Sequence, residues 1–132
     1  MAAAAIRVLV VDDDPLFREA ISALLERQEG ICVVGFAVNG EEAVEQAALL
    51  HPDVVTMDVD MPIMDGVEAT RWISEALPDV RVLLVSASIY AERADTARAA
   101  GAVGYITKSH VSETLVDAIV TVARGETFVV AP

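Results

Sequence analysis

The chain has 132 residues, 55% hydrophobic and 23% charged, which is enough apolar content for one ordinary core and too little length for a second full domain. Its net charge of −12, from 21 acidic and 9 basic residues, argues against direct DNA or RNA binding by this segment, because such a surface repels the phosphate backbone. The apolar runs are far short of the roughly 20 residues of a membrane helix. Arg7 and Asp12 also follow the opening Met-Ala-Ala-Ala-Ala too closely for a secretory signal. The expectation is therefore a cytoplasmic chain with no membrane association.

In chain order, residues 1–5 form a disordered N-terminal extension. Ile6–Val11 is a β-branched, almost continuous apolar run, the pattern of a strand buried on both faces in a parallel sheet. Asp12-Asp13-Asp14 ends it, and Pro15 suits a helix's first turn with Asp14 as its N-cap. Leu16/Phe17, Ala20/Ile21 and Leu24/Leu25 recur four residues apart as one apolar face. Ile31–Val38, broken by Gly35, reads as a weaker edge strand, with Cys32 a small buried hydrophobe. A helix over Gly40–Leu50 turns Ala43/Val44 and Ala47/Ala48 inward and stops before Pro52. Asp53–Met57 is the next buried strand, and a helix over Gly66–Ala76 is stopped by Pro78. Val80–Val85 follows as a strand, then an alanine-rich helix near Tyr90–Ala100 that ends at Gly101. Ala102–Ile106 is a fifth strand. In the last helix Val111, Leu115, Ile119 and Val122 share a face, and Gly125 follows. His51 and His110 lack metal-ligand spacing and read as surface or helix-end residues.

Strict β/α alternation implies a parallel sheet with right-handed crossovers and helices on both faces. Five units in this length fit a flavodoxin-like doubly wound (βα)5 fold: a five-stranded parallel sheet, order 2-1-3-4-5. Its site lies at the carboxyl ends of the strands, beside the switch point between strands 1 and 3. Strand 1 ends in Asp12-Asp13-Asp14, strand 3 in Asp58, strand 4 in Ser86 and strand 5 in Lys108. Taken singly, Asp12, Ser86 or Lys108 is an ordinary turn or cap residue; four strand ends converging on one edge point to a site. Carboxylates about 4 Å apart repel by roughly 4 kcal/mol per pair at an effective dielectric near 20, so the cluster needs a cation. Lys108 is one candidate and a hard divalent ion such as Mg²⁺ is the other. A carboxylate at Asp58, followed by a Pro- and Gly-marked loop (Val59 to Gly66), can act as a nucleophile toward phosphorus.

Four segments carry a family resemblance: Val-Leu-Val-Val-Asp12-Asp13-Asp14-Pro15, the run Met57 to Gly66, Val85-Ser86-Ala87 and Gly104-Tyr105-Ile106-Thr107-Lys108. Together they resemble the response-regulator receiver domain of two-component signalling, over about Ile6 to Gly125. The resemblance implies that Asp58 is the phosphoacceptor. Asp12, Asp13, Asp58 and the backbone carbonyl of Asp60 would bind Mg²⁺. Lys108 would pair with phosphoryl oxygens, and Ser86 and Tyr105 would act as the switch residues. It implies a sensor histidine kinase as partner and a homodimer on phosphorylation. Ser109 after Lys108, and the ending Gly125 to Pro132, are similar to the NarL/FixJ group with a LuxR-type helix-turn-helix output. Residues 6–125 are then the receiver domain and 126–132 the start of a linker to a C-terminal domain, through which alone DNA would be bound to control transcription. Asp14, where that group often has His, and Asp60 are positions expected to tune phosphoryl lifetime.

The rivals are a stand-alone receiver, a receiver acting only as an unphosphorylated interaction module, and a haloacid-dehalogenase-like phosphatase suggested by Asp58-Val59-Asp60. The last leaves Asp12-Asp13 unexplained, and Met61-Pro62 departs from its pattern. A flavodoxin-like flavin binder fails because Asp12-Asp13-Asp14 would repel the flavin phosphate. No enzymatic turnover is expected beyond self-phosphorylation and autodephosphorylation.

Overall fold

The continuous apolar runs become the interior strands of a parallel sheet, and the runs with helical spacing become the layers that cover it. The computed structural model describes residues 4–87 and 91–129, with the backbone alone over 91–93. Tyr90, the expected start of the fourth helix, lies outside the described residues, as do residues 1–3 and 130–132. The elements are β1 (Ile6–Val11), α1 (Pro15–Glu26), β2 (Ile31–Ala37), α2 (Gly40–Leu50), β3 (Val54–Asp58) and α3 (Gly66–Ala76). They continue with β4 (Arg81–Ser86), α4 (Ala91–Ala100), β5 (Gly104–Thr107), a single 3-10 turn (Lys108–His110), α5 (Val111–Ala123) and β6 (Phe128–Val129).

The sheet order is β2-β1-β3-β4-β5-β6, with every pair parallel. This confirms the doubly wound order and corrects the strand count, because β6 adds a sixth strand outside β5. Phe128 pairs with Gly104 and Val129 with Tyr105. The segment expected to begin a linker therefore starts by completing the sheet.

Successive residues of the strands point to opposite faces, so the apolar runs feed two cores. Leu9, Val11, Val55, Met57, Leu84 and Tyr105 pack with Ala43, Ala47, Ala69, Ile73 and Ala97 on the α2–α3–α4 side. Val8, Val10, Val54, Leu83, Val85 and Ile106 pack with Ile21 and Leu25 of α1 and with Leu115, Ala118, Ile119 and Val122 of α5 on the other side. The four expected α5 face residues are all buried. The expected face of α1 is too broad: Leu16 is 74% exposed, and Ser22, whose hydroxyl donates to the Arg18 carbonyl at 2.8 Å, is buried in its stead. Ala20 and Ala48 are likewise exposed. Cys32 is exposed, against expectation, because β2 is the edge strand and its outer positions are incompletely covered.

The helix starts follow the capping chemistry of the sequence. Asp14 accepts from the Leu16 N–H at 3.0 Å, Asn39 from Glu42 at 2.8 Å and Asp65 from Glu68 at 2.8 Å. One interior group breaks the pattern of satisfied polar atoms. Thr56 is 1% exposed in the middle of β3, and its hydroxyl has no hydrogen-bond partner among the described residues. An orphaned buried hydroxyl costs about 1–3 kcal/mol. Thr56→Val, which keeps the shape and removes the orphan, should raise stability by about 1–2 kcal/mol in denaturant titrations.

Candidate functional site: three carboxylates and one lysine

The last row shared by the inner strands is Val11, Met57, Leu84 and Tyr105. One residue beyond it, at the carboxyl edge, stand Asp12 and Asp58. Asp58 pairs with Val85, so Ser86 is one step further along the same edge and pairs with Thr107. Lys108 follows Thr107 on the 3-10 turn. Parallel register alone therefore brings residues 12, 58, 86 and 108 from four separate segments to one edge.

Asp12 is 1% exposed and Asp58 5%, while Asp13 is exposed. Carboxylate oxygens of Asp12, Asp13 and Asp58 lie within 4.8 Å of one another. The Lys108 ammonium is 2.9 Å from Asp12 Oδ2 and 3.5 Å from Asp58 Oδ2. It also stands 4.4 Å from the centroid of the Phe17 ring, a cation–π contact. Asp12 is held further by the Asp14 N–H, which donates to Oδ1 at 2.9 Å, and by Arg18, whose guanidinium donates to the Asp12 carbonyl at 2.8 Å.

Burial pushes the Asp58 carboxyl up from an ordinary 3.8 to about 6; the Asp12 charge adds to this and Lys108 opposes it. For Lys108 burial acts to lower the pKa, but the hydrogen bond from its ammonium to Asp12 and the charges of Asp58 and Asp12 outweigh it and move it above 10.5. Three carboxylates against one ammonium leave a formal charge of −2 in a largely buried cluster of hard oxygen donors. That donor set and charge fit an octahedral divalent cation.

The loop after Asp58 is built to pass close by. A Cβ at Gly66 would meet the Asp58 carbonyl oxygen at 2.0 Å, so only glycine allows this approach. The Met64 N–H donates to the Pro62 carbonyl at 2.8 Å around Ile63, whose φ is 72°, a γ-turn rarely adopted by a β-branched residue. Asp60 is exposed on this loop, and with Val59, Arg71, Thr96 and the buried Tyr105 it lines a cleft of about 400 Å³ between α3 and α4.

Asp12, Asp13, Asp58 and Lys108 thus meet as expected. Ser86 is fully buried in register beside them, and Tyr105 lies in β5 facing the α2–α3–α4 core. Phe17 and Arg18 were not anticipated as site neighbours. Their signal was positional: the first turn of a helix that follows strand 1 lies directly over that strand's acidic end.

Fold and site define a doubly wound α/β domain with an acidic cluster and a lysine at the carboxyl edge of its parallel sheet. Residues 8–120 match the model of the response regulator receiver domain, and the chain belongs to that family. The transcriptional regulatory protein LnrK of Bacillus subtilis (strain 168) is 38% identical over 120 residues, which cover 91% of this chain and 54% of LnrK. The LuxR-family two-component response regulator from Aurantimonas sp. SI85-9A1 superposes with a TM-score of 0.91 at 36% identity, covering 95% of this chain and 89% of that one. The response regulator domain of Thermotoga maritima CheB gives 0.86 at 37% identity, covering 97% and 99%. The chain spans about half the length of LnrK. No helix among the described residues is long and apolar enough to cross a membrane.

The raised Asp58 pKa has a signed consequence. The folded protein binds this proton more tightly than the unfolded chain, so the ionised carboxyl costs stability above pH 6. That cost disappears as pH falls through 6 toward 4. In chelator, Asp58→Asn should therefore be more stable than wild type by about 2–3 kcal/mol at pH 7–8, and thermal melts of the two should converge near pH 4.

Proposed function

We propose that Asp58 is the phosphoacceptor of this receiver and takes its phosphoryl group from a phosphohistidine of a sensor histidine kinase in the cytoplasm. The observation that carries this reading is the cluster of three carboxylates within 4.8 Å, faced by a single ammonium. In the transfer an Asp58 carboxylate oxygen attacks phosphorus, the P–N bond breaks, and the donor imidazole leaves with the electron pair. Asp12, Asp13 and Asp58, with the backbone carbonyl of Asp60, are the residues to hold Mg²⁺, which when bound offsets the negative charge of the transferring group. Lys108, already 3.5 Å from Asp58, pairs with the phosphoryl oxygens. The Ser86 hydroxyl bonds the new dianion, and Tyr105 in the adjoining strand responds. The phosphoryl group stabilises one of two arrangements of this edge and acts by population shift. Its outcome is homodimerisation and control of transcription through a DNA-binding domain that follows in the full-length protein. Protein turnover of a free substrate is not part of this role.

Incubation with Mg²⁺ and acetyl phosphate, followed by intact mass, tests it. The wild type should gain one phosphoryl group; chelator and Asp58→Asn should each abolish the gain. A wild type that stays unmodified, or an Asp58→Asn that is still modified, overturns the assignment.

A further inference from the structure

Lys108 is the only lysine in the chain, and its ammonium contacts both Asp12 and Asp58. Its tip is held by Asp12, Asp58 and the Phe17 ring, but a lysine stem has four rotatable bonds and the tip contacts do not place its backbone. The backbone is flanked by a closed triangle of polar side chains. Thr107 Oγ1 lies 2.8 Å from His110 Nδ1 and 3.1 Å from Ser109 Oγ, and Ser109 Oγ lies 3.2 Å from the same ring nitrogen. Thr107 is 2% exposed and is the last residue of β5, paired in the sheet with Ser86. His110 closes the 3-10 turn that begins at Lys108, and its carbonyl accepts from the Thr114 hydroxyl of α5 at 2.7 Å. The triangle therefore ties the end of the sheet to the start of α5 across a three-residue connection whose first member is Lys108.

We propose that Thr107, Ser109 and His110 form a clamp that positions Lys108 against Asp12 and Asp58. Thr107 and His110 are positioning residues: their side chains bond one another and Ser109, and they act through the backbone on either side of the lysine. The physical reason is one of tolerance. The 2.9 Å contact to Asp12 survives only small displacements, and a misplacement of about 1 Å costs large factors in a transfer that depends on preset charge. The effect on phosphoryl transfer rests on the function proposed above; the positioning of the lysine does not.

The test compares wild type, Thr107→Val, Thr107→Ser and His110→Ala. Thr107→Val keeps the shape and removes the hydroxyl, Thr107→Ser keeps the hydroxyl, and His110→Ala removes the other partner at an exposed position. One readout is the rate at which a succinimidyl ester acylates the single lysine in chelator, followed by peptide mass. The other is the rate of phosphorylation by acetyl phosphate and Mg²⁺, with the Mg²⁺ dissociation constant measured by calorimetry. Thr107→Val and His110→Ala should acylate several times faster and be phosphorylated about tenfold more slowly, with Mg²⁺ affinity undiminished, and Thr107→Ser should match wild type. Unchanged acylation in both Thr107→Val and His110→Ala overturns the clamp, as does a Thr107→Ser that behaves like Thr107→Val. A parallel loss of Mg²⁺ affinity also overturns it, because that marks general loss of structure at the edge. A wild type that accepts no phosphoryl group refutes the proposed function, and acylation still decides the clamp.

Discussion

The contact between Lys108 and the Asp12 and Asp58 carboxylates is the interaction on which the rest of this domain depends. It joins the ends of β1, β3 and β5, which are far apart in sequence, and it opposes charge repulsion that would otherwise splay the carboxyl edge of the sheet. It exists only because the strands pair in one register. A slip of one residue in β3 would turn Asp58 to the other face and Met57 out of its core. The two apolar layers that fix the register are thus also what concentrates the charge. The ion pairs offset only part of the repulsion, and the excess negative charge is what makes the edge receptive to a cation.

Most of this was legible in the sequence. Four runs of continuous β-branched residues, each bounded by Pro, Gly or a polar turn, can be satisfied only by burial on both sheet faces, and the bounds of α2 and α3 follow from Gly40, Gly66, Pro52 and Pro78. The acids and the lysine stood at the ends of those runs, so their convergence followed from parallel topology. What was not legible depended on coverage and pairing. Ile31-Cys32-Val33-Val34 has the composition of an interior strand, yet β2 lies at an edge, and hydropathy does not report which neighbours are absent. Leu16 belongs to the helical apolar repeat but sits in the first turn of α1 and stays 74% exposed. Phe128-Val129 is too short to show a period, and its pairing is decided by the open flank of β5 and by Gly104, where a Cβ would meet the Phe128 carbonyl oxygen at 2.9 Å.

The segment between Asp58 and α3 shows how local conformation serves the edge. Gly66 lets the returning chain lie against the Asp58 backbone, its N–H donating to the Val59 carbonyl at 2.8 Å, and the Gly40 N–H at the start of α2 donates to the Met64 carbonyl at 2.9 Å. Between these anchors the chain turns through Ile63 in a left-handed conformation that costs about 1–3 kcal/mol for a side chain of this type. Packing on both sides holds the turn in place. The loop bearing Asp60 is therefore fixed to two helices and is not a free tether.

The direction of β6 determines how the polypeptide departs. An antiparallel sixth strand would send the chain back toward the amino pole of the sheet, the end remote from Asp58. Because Phe128 and Val129 run alongside Gly104 and Tyr105 in the same sense as β5, the main chain at Val129 is heading for the pole that carries the acids. At Val129 the main chain therefore lies one strand away from the segment that carries Lys108 and points toward the same pole, so little backbone separates the end of β6 from the charged edge of the sheet.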